Sequence, residues 1–406
     1  MYSFLGFPAW IHGAIQIIQL KFFSWNALIF TPISTTTDDS ILPNEIITDI
    51  LLRLPNKSLL KCTCVSKSWH QLISSPHFVN THLKLNRNYH RVLFPGINGA
   101  FKFFSINPLF NKQQQQVTVH MYPPTSSAFV VGSANGLICL CNHAGETYIW
   151  NPTIRKSKEL LNSKWGTSFY TKYGFGYDDL CDDYKAVFVD YCRSSYHDDD
   201  MSNMRTLVNV YSLRTDSWTT LHDQLQGIYL VNLYAKFVHG KLYWVASSGI
   251  RDHNVRNIIS YDVADEKWGS LELPICGEVN SNFKLGVVGS DLSLLYTCRL
   301  GDTTSDVWIL KDCRVWTKLF TIEYPQNAGL YIFSPPILTF SMHLRRSNKG
   351  DILLSHPGFI MIFDGSTKRL EHTINVEGCN PPEIYAESIV NPLMISGHCT
   401  SKDNPQ

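Results

Sequence analysis

The sequence predicts a small all-α unit of three helices followed by a large all-β, propeller-like domain. Three observations lead there. Between Leu42 and Ile73 apolar residues recur at helical spacing, punctuated by Leu-Pro pairs. Beyond Leu83 the apolar runs become short, rich in Val, Ile, Tyr, Phe and Trp, and are broken by Gly, Asn, Asp and Pro. One of those runs returns at a period near ~50 residues, a spacing for several short strands rather than for a helical solenoid or a sandwich.

The chain opens with Met1–Ile33, in which Lys21 is the only formal charge. Gln16, Gln19 and Asn26 interrupt its apolar run and no basic segment precedes it, so neither a membrane span nor a signal peptide is well supported. With the polar linker STTTDDS, residues 1–39 are expected to form an extension outside the fold.

The first helix is expected to start at Pro43, whose missing N–H costs nothing in a first turn, with Glu45 near the positive end of the helix dipole. Ile46, Ile47, Ile50, Leu51 and Leu54 share one side of it, and Pro55 ends it. A second short helix carries Leu59, Leu60, Cys64 and Val65. A third, capped by Ser66, carries Trp69, Leu72 and Ile73 and stops at Ser74-Ser75-Pro76. A unit this small cannot bury so much apolar surface alone. The surplus is either an interface for a partner or a face that packs on the rest of the chain.

The stretch LPNEIITDILLRLPNKSLLKCTCVSKSWHQLISSPHFVNTHL, Leu42 to Leu83, resembles the F-box motif of plant F-box proteins almost position by position. It departs at Asn56, where the family usually has Val, and at Lys61-Cys62-Thr63. The resemblance implies docking on a Skp-family adaptor, and through it on a cullin-RING ubiquitin ligase. The matching positions are Leu42, Pro43, Ile46, Ile50, Leu51, Leu54 and Pro55, then Leu59, Leu60, Val65 and Trp69. Branched apolar anchors with an aromatic among them suit a partner's groove. Sequence does not separate those that face a partner from those that form the unit's own core.

In the β region, runs such as RVLF, GLICLC, TYIWNP, KAVFVDY, LVNVYSL, KLYWVAS, NIISYDV, SDVWILK and FIMIFDG each have the length of one strand. The repeat is an apolar strand ending in an aromatic-polar pair, a polar turn, then usually Trp and Leu, as in NVYSLRTDSWTTL and ISYDVADEKWGSLELP. Its central aromatics are Trp150, Tyr211, Tyr261, Trp308 and Phe363, which require at least five blades, and His90–Ile106 offers strands for a sixth. The period is kelch-like, and the Trp after each turn is expected to pack between neighbouring blades.

Gly132–Leu160, Tyr173–Val189, VNVYSLRTDSWTTL and HGKLYWVAS look like successive signatures of the F-box-associated interaction domain that follows plant F-boxes. Ile154 stands where Thr is usual, and Ala186 is a further departure. The likeness extends to the S-locus F-box-like group. The expected organisation is an F-box at 40–83, an F-box-associated propeller at 84–395 and a tail at 396–406.

Composition and motifs narrow the chemistry. With 35 basic against 34 acidic residues the formal charge is +1, so no bulk field favours nucleic acid or an anionic membrane. The 11 cysteines show no C-x-x-C pair of zinc spacing and read as reduced, mostly buried thiols of a cytoplasmic or nuclear protein. There is no H-E-x-x-H, G-x-S-x-G, P-loop or dinucleotide fingerprint. YGFGYDD (Tyr173–Asp179) lacks the following helix that a phosphate cradle needs. HDDD (His197–Asp200) reads as a solvated loop, and HLRRSNKG (His343–Gly350) as a solvated basic hairpin.

The resulting expectation is a non-catalytic receptor without cofactor or metal. The F-box binds a Skp-family adaptor and the propeller holds a target protein for ubiquitination, with Leu180–Arg205, read as a long insertion, nominated for target binding. Two other readings stay open. One is a glycan- or small-molecule-binding propeller whose F-box has a non-degradative role. The other is a kelch-type oxidoreductase, which needs a His and Tyr metal cluster.

Overall fold

The computed structural model describes residues 43–86, 90–96, 99–106, 119–161, 170–192, 205–222, 224–248, 257–274, 282–298, 304–312, 315–323, 343–346, 351–356, 359–367, 369–376 and 382–395. The chain divides after Asn86 into a helical unit and a strand unit. The segments Met1–Ile33 and HDDD lie outside the described residues.

The helical unit contains α1 (Asn44–Leu52), α2 (Asn56–Cys62), α3 (Lys67–Ser74) and α4 (Pro76–Leu85). Pro43 and Pro55 stand immediately before α1 and α2, as the Leu-Pro punctuation suggests. Ser66 caps α3 by accepting the Trp69 backbone N–H at 3.2 Å. The fourth helix extends the three expected. Pro76 does not stop the chain there but occupies the first turn of α4, and Ser75 caps it by accepting from the Phe78 N–H at 3.3 Å.

The strand unit is a six-blade β-propeller. Blade 1 takes the C-terminal strand Glu383–Ala386 as its innermost member, followed by His90–Pro95, Phe101–Ser105 and Val119–Met121. Blade 2 is Phe129–Ala134, Leu137–Cys141, Thr147–Asn151 and Lys156–Glu159. Blade 3 is Lys172–Asp178, Asp183–Cys192, Arg205–Ser212 and Ser217–His222. In blade 4 the inner strand is split into Tyr229–Leu230 and Lys236–Val238, both paired with Lys241–Ser247, before Asn257–Asp262 and Lys267–Glu272. Blades 5 (Asn282–Val288, Asp291–Thr297, Thr304–Lys311, Val315–Glu323) and 6 (His343–Arg346, Ile352–His356, Phe359–Phe363, Leu370–Asn375) touch through one parallel pair, Val288 with Leu344.

The sequence repeat now has a structural meaning. Trp150, Tyr211, Tyr261, Trp308 and Phe363 all lie in the third strand of their blades. Second strands such as Leu137–Cys141 are buried throughout, whereas outer strands such as Ser217–His222 alternate towards solvent. The Trp of the fourth strand does join blades. Trp218 Nε1 donates at 3.1 Å to the carbonyl of Leu161, just past blade 2, and Trp316 Nε1 donates at 3.0 Å to that of Glu272 in blade 4. Trp268 packs into the core shared by blades 3 and 4.

Ring closure falls on the chain end. Glu383–Ala386 pairs antiparallel with His90–Pro95, so the last strand completes the first blade. The following residues seat against blade 2, where the buried Asn151 amide donates to the carbonyls of Ser388 at 3.0 Å and Val390 at 2.8 Å. Val92 and Phe94 of blade 1 share a core with Leu353, Ile360 and Ile362 of blade 6, which covers the remaining joint.

Two expectations need correction. Leu180–Arg205 is not one long insertion, because Asp183–Cys192 is a buried strand whose Val, Phe and Tyr side chains fill the blade core. Nor are all the cysteines reduced. Cys62, Cys64, Cys139, Cys141, Cys192 and Cys298 are free thiols, but Cys181 is disulfide-bonded.

Candidate functional site

The helical unit sorts the candidate partner-binding residues by burial. Leu51 and Leu59 are fully buried and Ile50 nearly so, which makes them the unit's core. Leu54, Leu60, Val65 and Trp69 are half-buried, Pro43 and Pro55 are exposed, and Ile46 is 37% exposed. Leu42 lies outside the described residues. The apolar side chains of Ile46, Leu60, Val65 and Trp69 are thus incompletely covered, as an interface requires.

The core is pinned by residues that periodicity did not single out. His82 of α4 is buried and stacks on Phe78, with ring centroids 6.1 Å apart. Its Nε2 lies 2.9 Å from the Leu54 carbonyl, and burial lowers its pKa, so the neutral ring donates to that carbonyl. Asn86 donates to the Leu52 carbonyl at 2.9 Å and to that of His82 at 3.1 Å. Both satisfy carbonyls at or beside the α1 C-terminus. Asn56 is the weak point: 3% exposed, with neither its amide nitrogen nor its oxygen hydrogen-bonded.

In the propeller the inner strands of blades 2, 3, 4 and 5 and the closing strand of blade 1 converge on an axial cavity of about 120 Å³. Its polar lining includes Ser133, Lys236 and Glu383, and its apolar lining Phe175, Phe237, Val287 and Ile384. Lys236 Nζ lies 3.5 Å from Glu383 Oε2, and the Ser133 hydroxyl donates to Glu383 Oε1 at 2.8 Å. Burial lowers the Lys236 pKa, and Glu383 partly offsets that. A charged pair enclosed in this way was invisible in sequence, because its members lie in different blades.

The glycine-rich YGFGYDD is explained by packing. A Cβ on Gly174 would come within 2.8 Å of Leu242, and one on Gly176 within 2.7 Å of Phe237. These glycines let blade 3 approach blade 4; they do not cradle phosphate. His343–Arg346 forms a hairpin with Ile352–His356. Among the described residues no group of three or more His, Cys, Asp or Glu is placed to hold a metal, and no helix is long and apolar enough to cross a membrane.

Comparison with known proteins agrees with both units. A family model described as the F-box associated beta propeller domain matches residues 100–379, and the F-box domain model matches residues 40–81. The chain is 28% identical to the F-box protein CPR1 of Arabidopsis thaliana over 384 residues, covering 87% of this chain and 89% of that one. It is 27% identical to an F-box/kelch-repeat protein of the same plant, over 86% of this chain and 96% of that one. A solved oligogalacturonate lyase in complex with manganese aligns over 69% of this chain and 70% of its own, at 10% identity and a TM-score of 0.39, too low to bear on function.

Proposed function

The chain belongs to the F-box associated β-propeller family, with an F-box domain ahead of the propeller, and we propose that it is the substrate-recognition subunit of a Skp-cullin-F-box ubiquitin ligase. The observation that carries this reading is the incomplete cover over Ile46, Leu60, Val65 and Trp69 in a unit that matches the F-box domain. These side chains fill a groove of a Skp-family adaptor, while the propeller holds a target protein. Tethering raises the effective concentration of target lysines near a ubiquitin-charged conjugating enzyme. Bond chemistry belongs to other subunits, and the chain itself is not catalytic.

A cytoplasmic or nuclear location goes with this role. The free thiols fit it; the Cys181 disulfide does not, since reducing compartments open such bonds.

The test is co-purification of the full chain with a Skp-family adaptor, compared with Ile46→Asp. Because Ile46 is 37% exposed, a charge there leaves the core intact. Adaptor binding by the wild type and its loss in the folded variant support the proposal. Absence of binding by folded wild type overturns it.

A further inference from the structure

We propose that Tyr122-Pro123-Pro124, on the connection between blades 1 and 2, is a docking ridge for a partner protein whose groove is lined with aromatic side chains and reads extended, proline-containing backbone. The stretch leaves the outermost strand of blade 1 after Met121, which pairs with Phe101, and the chain bends at Pro124 and Thr125. Tyr122 is 75% exposed, Pro124 is exposed and Pro123 is half-buried.

Two adjacent prolines decide the backbone here. Each holds its own φ at about −65° and disfavours helical geometry in the residue before it, so Tyr122 and Pro123 are both driven to the extended region. That is one short turn of polyproline helix. With three residues per turn, successive side chains point ~120° apart, so when Pro123 faces the protein Tyr122 and Pro124 flank the outward side. The order of exposure along the three residues agrees.

The ridge is also held in shape before any partner arrives. Met121 is fixed by its ladder partner, and the Thr125 hydroxyl donates to Glu146 Oε2 at 2.8 Å and accepts from the Asn142 amide at 2.9 Å, both at the turn between the second and third strands of blade 2. Little conformational freedom is left to lose on binding.

The chemistry of the ridge selects the groove. From Gln113 to Gly145 the chain carries no Lys, Arg, Asp or Glu, so the ridge offers no charge for a partner to read. It offers a phenol ring, two pyrrolidine rings and a backbone without internal hydrogen bonds, whose carbonyls a partner's donors can reach. Aromatic side chains packed against such rings are the means by which proline-reading domains bind this conformation. The contact lies on the strand unit and goes beyond the adaptor reading, on which it does not depend.

The experiment titrates the full chain with three labelled proline-reading modules, an SH3, a WW and an EVH1 domain, at low and high salt. At least one is expected to bind, with an affinity that salt leaves nearly unchanged. Tyr122→Ala and Pro124→Ala are each expected to weaken that binding about tenfold or more. Both side chains are exposed, so both variants are expected to melt like the wild type. The variants also separate this ridge from Pro335-Pro336 and Pro381-Pro382, the other adjacent prolines of the chain. Binding that survives either substitution unchanged lies elsewhere and overturns the proposal. An affinity that collapses with salt assigns the contact to charge and overturns it equally. If no module binds the wild type at concentrations on the order of 1 mM, the stretch is a plain connection and the proposal fails.

Discussion

Lys236 and Glu383 come from blades 4 and 1, which face each other across the six-blade ring, and their side chains meet at 3.5 Å in the axial cavity. Glu383→Gln removes the countercharge and leaves a buried ammonium, a change that costs ~3–5 kcal/mol when a partner is deleted from a buried pair. The double variant Lys236→Met with Glu383→Gln removes both charges and is expected to recover most of that loss. Urea unfolding of the wild type, both single variants and the double variant reads the coupling directly. Strictly additive effects would show that the two groups do not stabilise one another.

The closing segment supplies a second prediction. Asn151→Ala leaves the carbonyls of Ser388 and Val390 without their donor, at about 1–3 kcal/mol for each buried group left unpaired. Gly136→Ala is expected to act on the same joint. Gly136 has φ +85°, and a Cβ there would lie 2.1 Å from Ser388 Oγ and 2.9 Å from the Ala386 carbonyl. In both variants limited proteolysis should cut near the C-terminus sooner than in the wild type, before general unfolding. Equal cleavage rates would mean that the segment is held by blade 1 alone.

Much of this fold was legible in the sequence because its local chemistry repeats. The aromatic at the end of the third strand recurs in blades 2 to 6, and the Trp after the following turn in blades 3, 4 and 5, so those three were marked strongly and blades 2 and 6 more faintly. The closing strand was not legible. Glu383–Ala386 carries no period of its own and is defined by its distant partner His90–Pro95. The F-box positions were readable for the same reason as the blades, as a pattern of spacing, but their division into core and surface was not. Ile50 and Ile46 sit one helical turn apart with the same residue type, and only packing of the other helices makes one buried and the other 37% exposed. His82 gave a weaker signal still, since a lone histidine near a helix end does not announce that it binds a carbonyl 28 residues away.

Buried lysines give the propeller an unusual response to alkali. Lys172, over the ring of Tyr229 at 4.6 Å, and Lys284 both have their pKa lowered by burial to about 8. Unfolded, each holds its proton to about 10.4. Between those values the unfolded chain binds more protons, so stability rises with pH; the cost of burying the charge is full below about pH 8 and fades above it. Tyr184, Tyr191 and Tyr234 oppose this at higher pH, because burial raises their pKa and the unfolded chain ionises first. The expected melting curve therefore climbs from about pH 8 and turns over near ~10. Lys172→Met should raise stability at pH 7, by a desolvation cost on the order of 3 kcal/mol, and flatten the climb. An unchanged climb would show that Lys172 keeps its charge throughout.

Asn56 marks a place where this chain departs from its family pattern at a cost that the structure makes visible. Its side chain is 3% exposed at the start of α2, and neither polar atom finds a partner. A buried amide in that state costs about 1–3 kcal/mol, whereas the Val usual at this position would bury apolar surface instead. Asn56→Val is therefore expected to stabilise the helical unit by roughly that amount, seen as slower hydrogen exchange at the amides of α1 and α2. Adaptor affinity should change little, because Ile46, Leu60, Val65 and Trp69 keep their exposure. If the variant instead loses adaptor binding while gaining stability, Asn56 contributes to the partner surface after rearrangement of α2. If it gains no stability, the amide finds hydrogen-bond partners in solution.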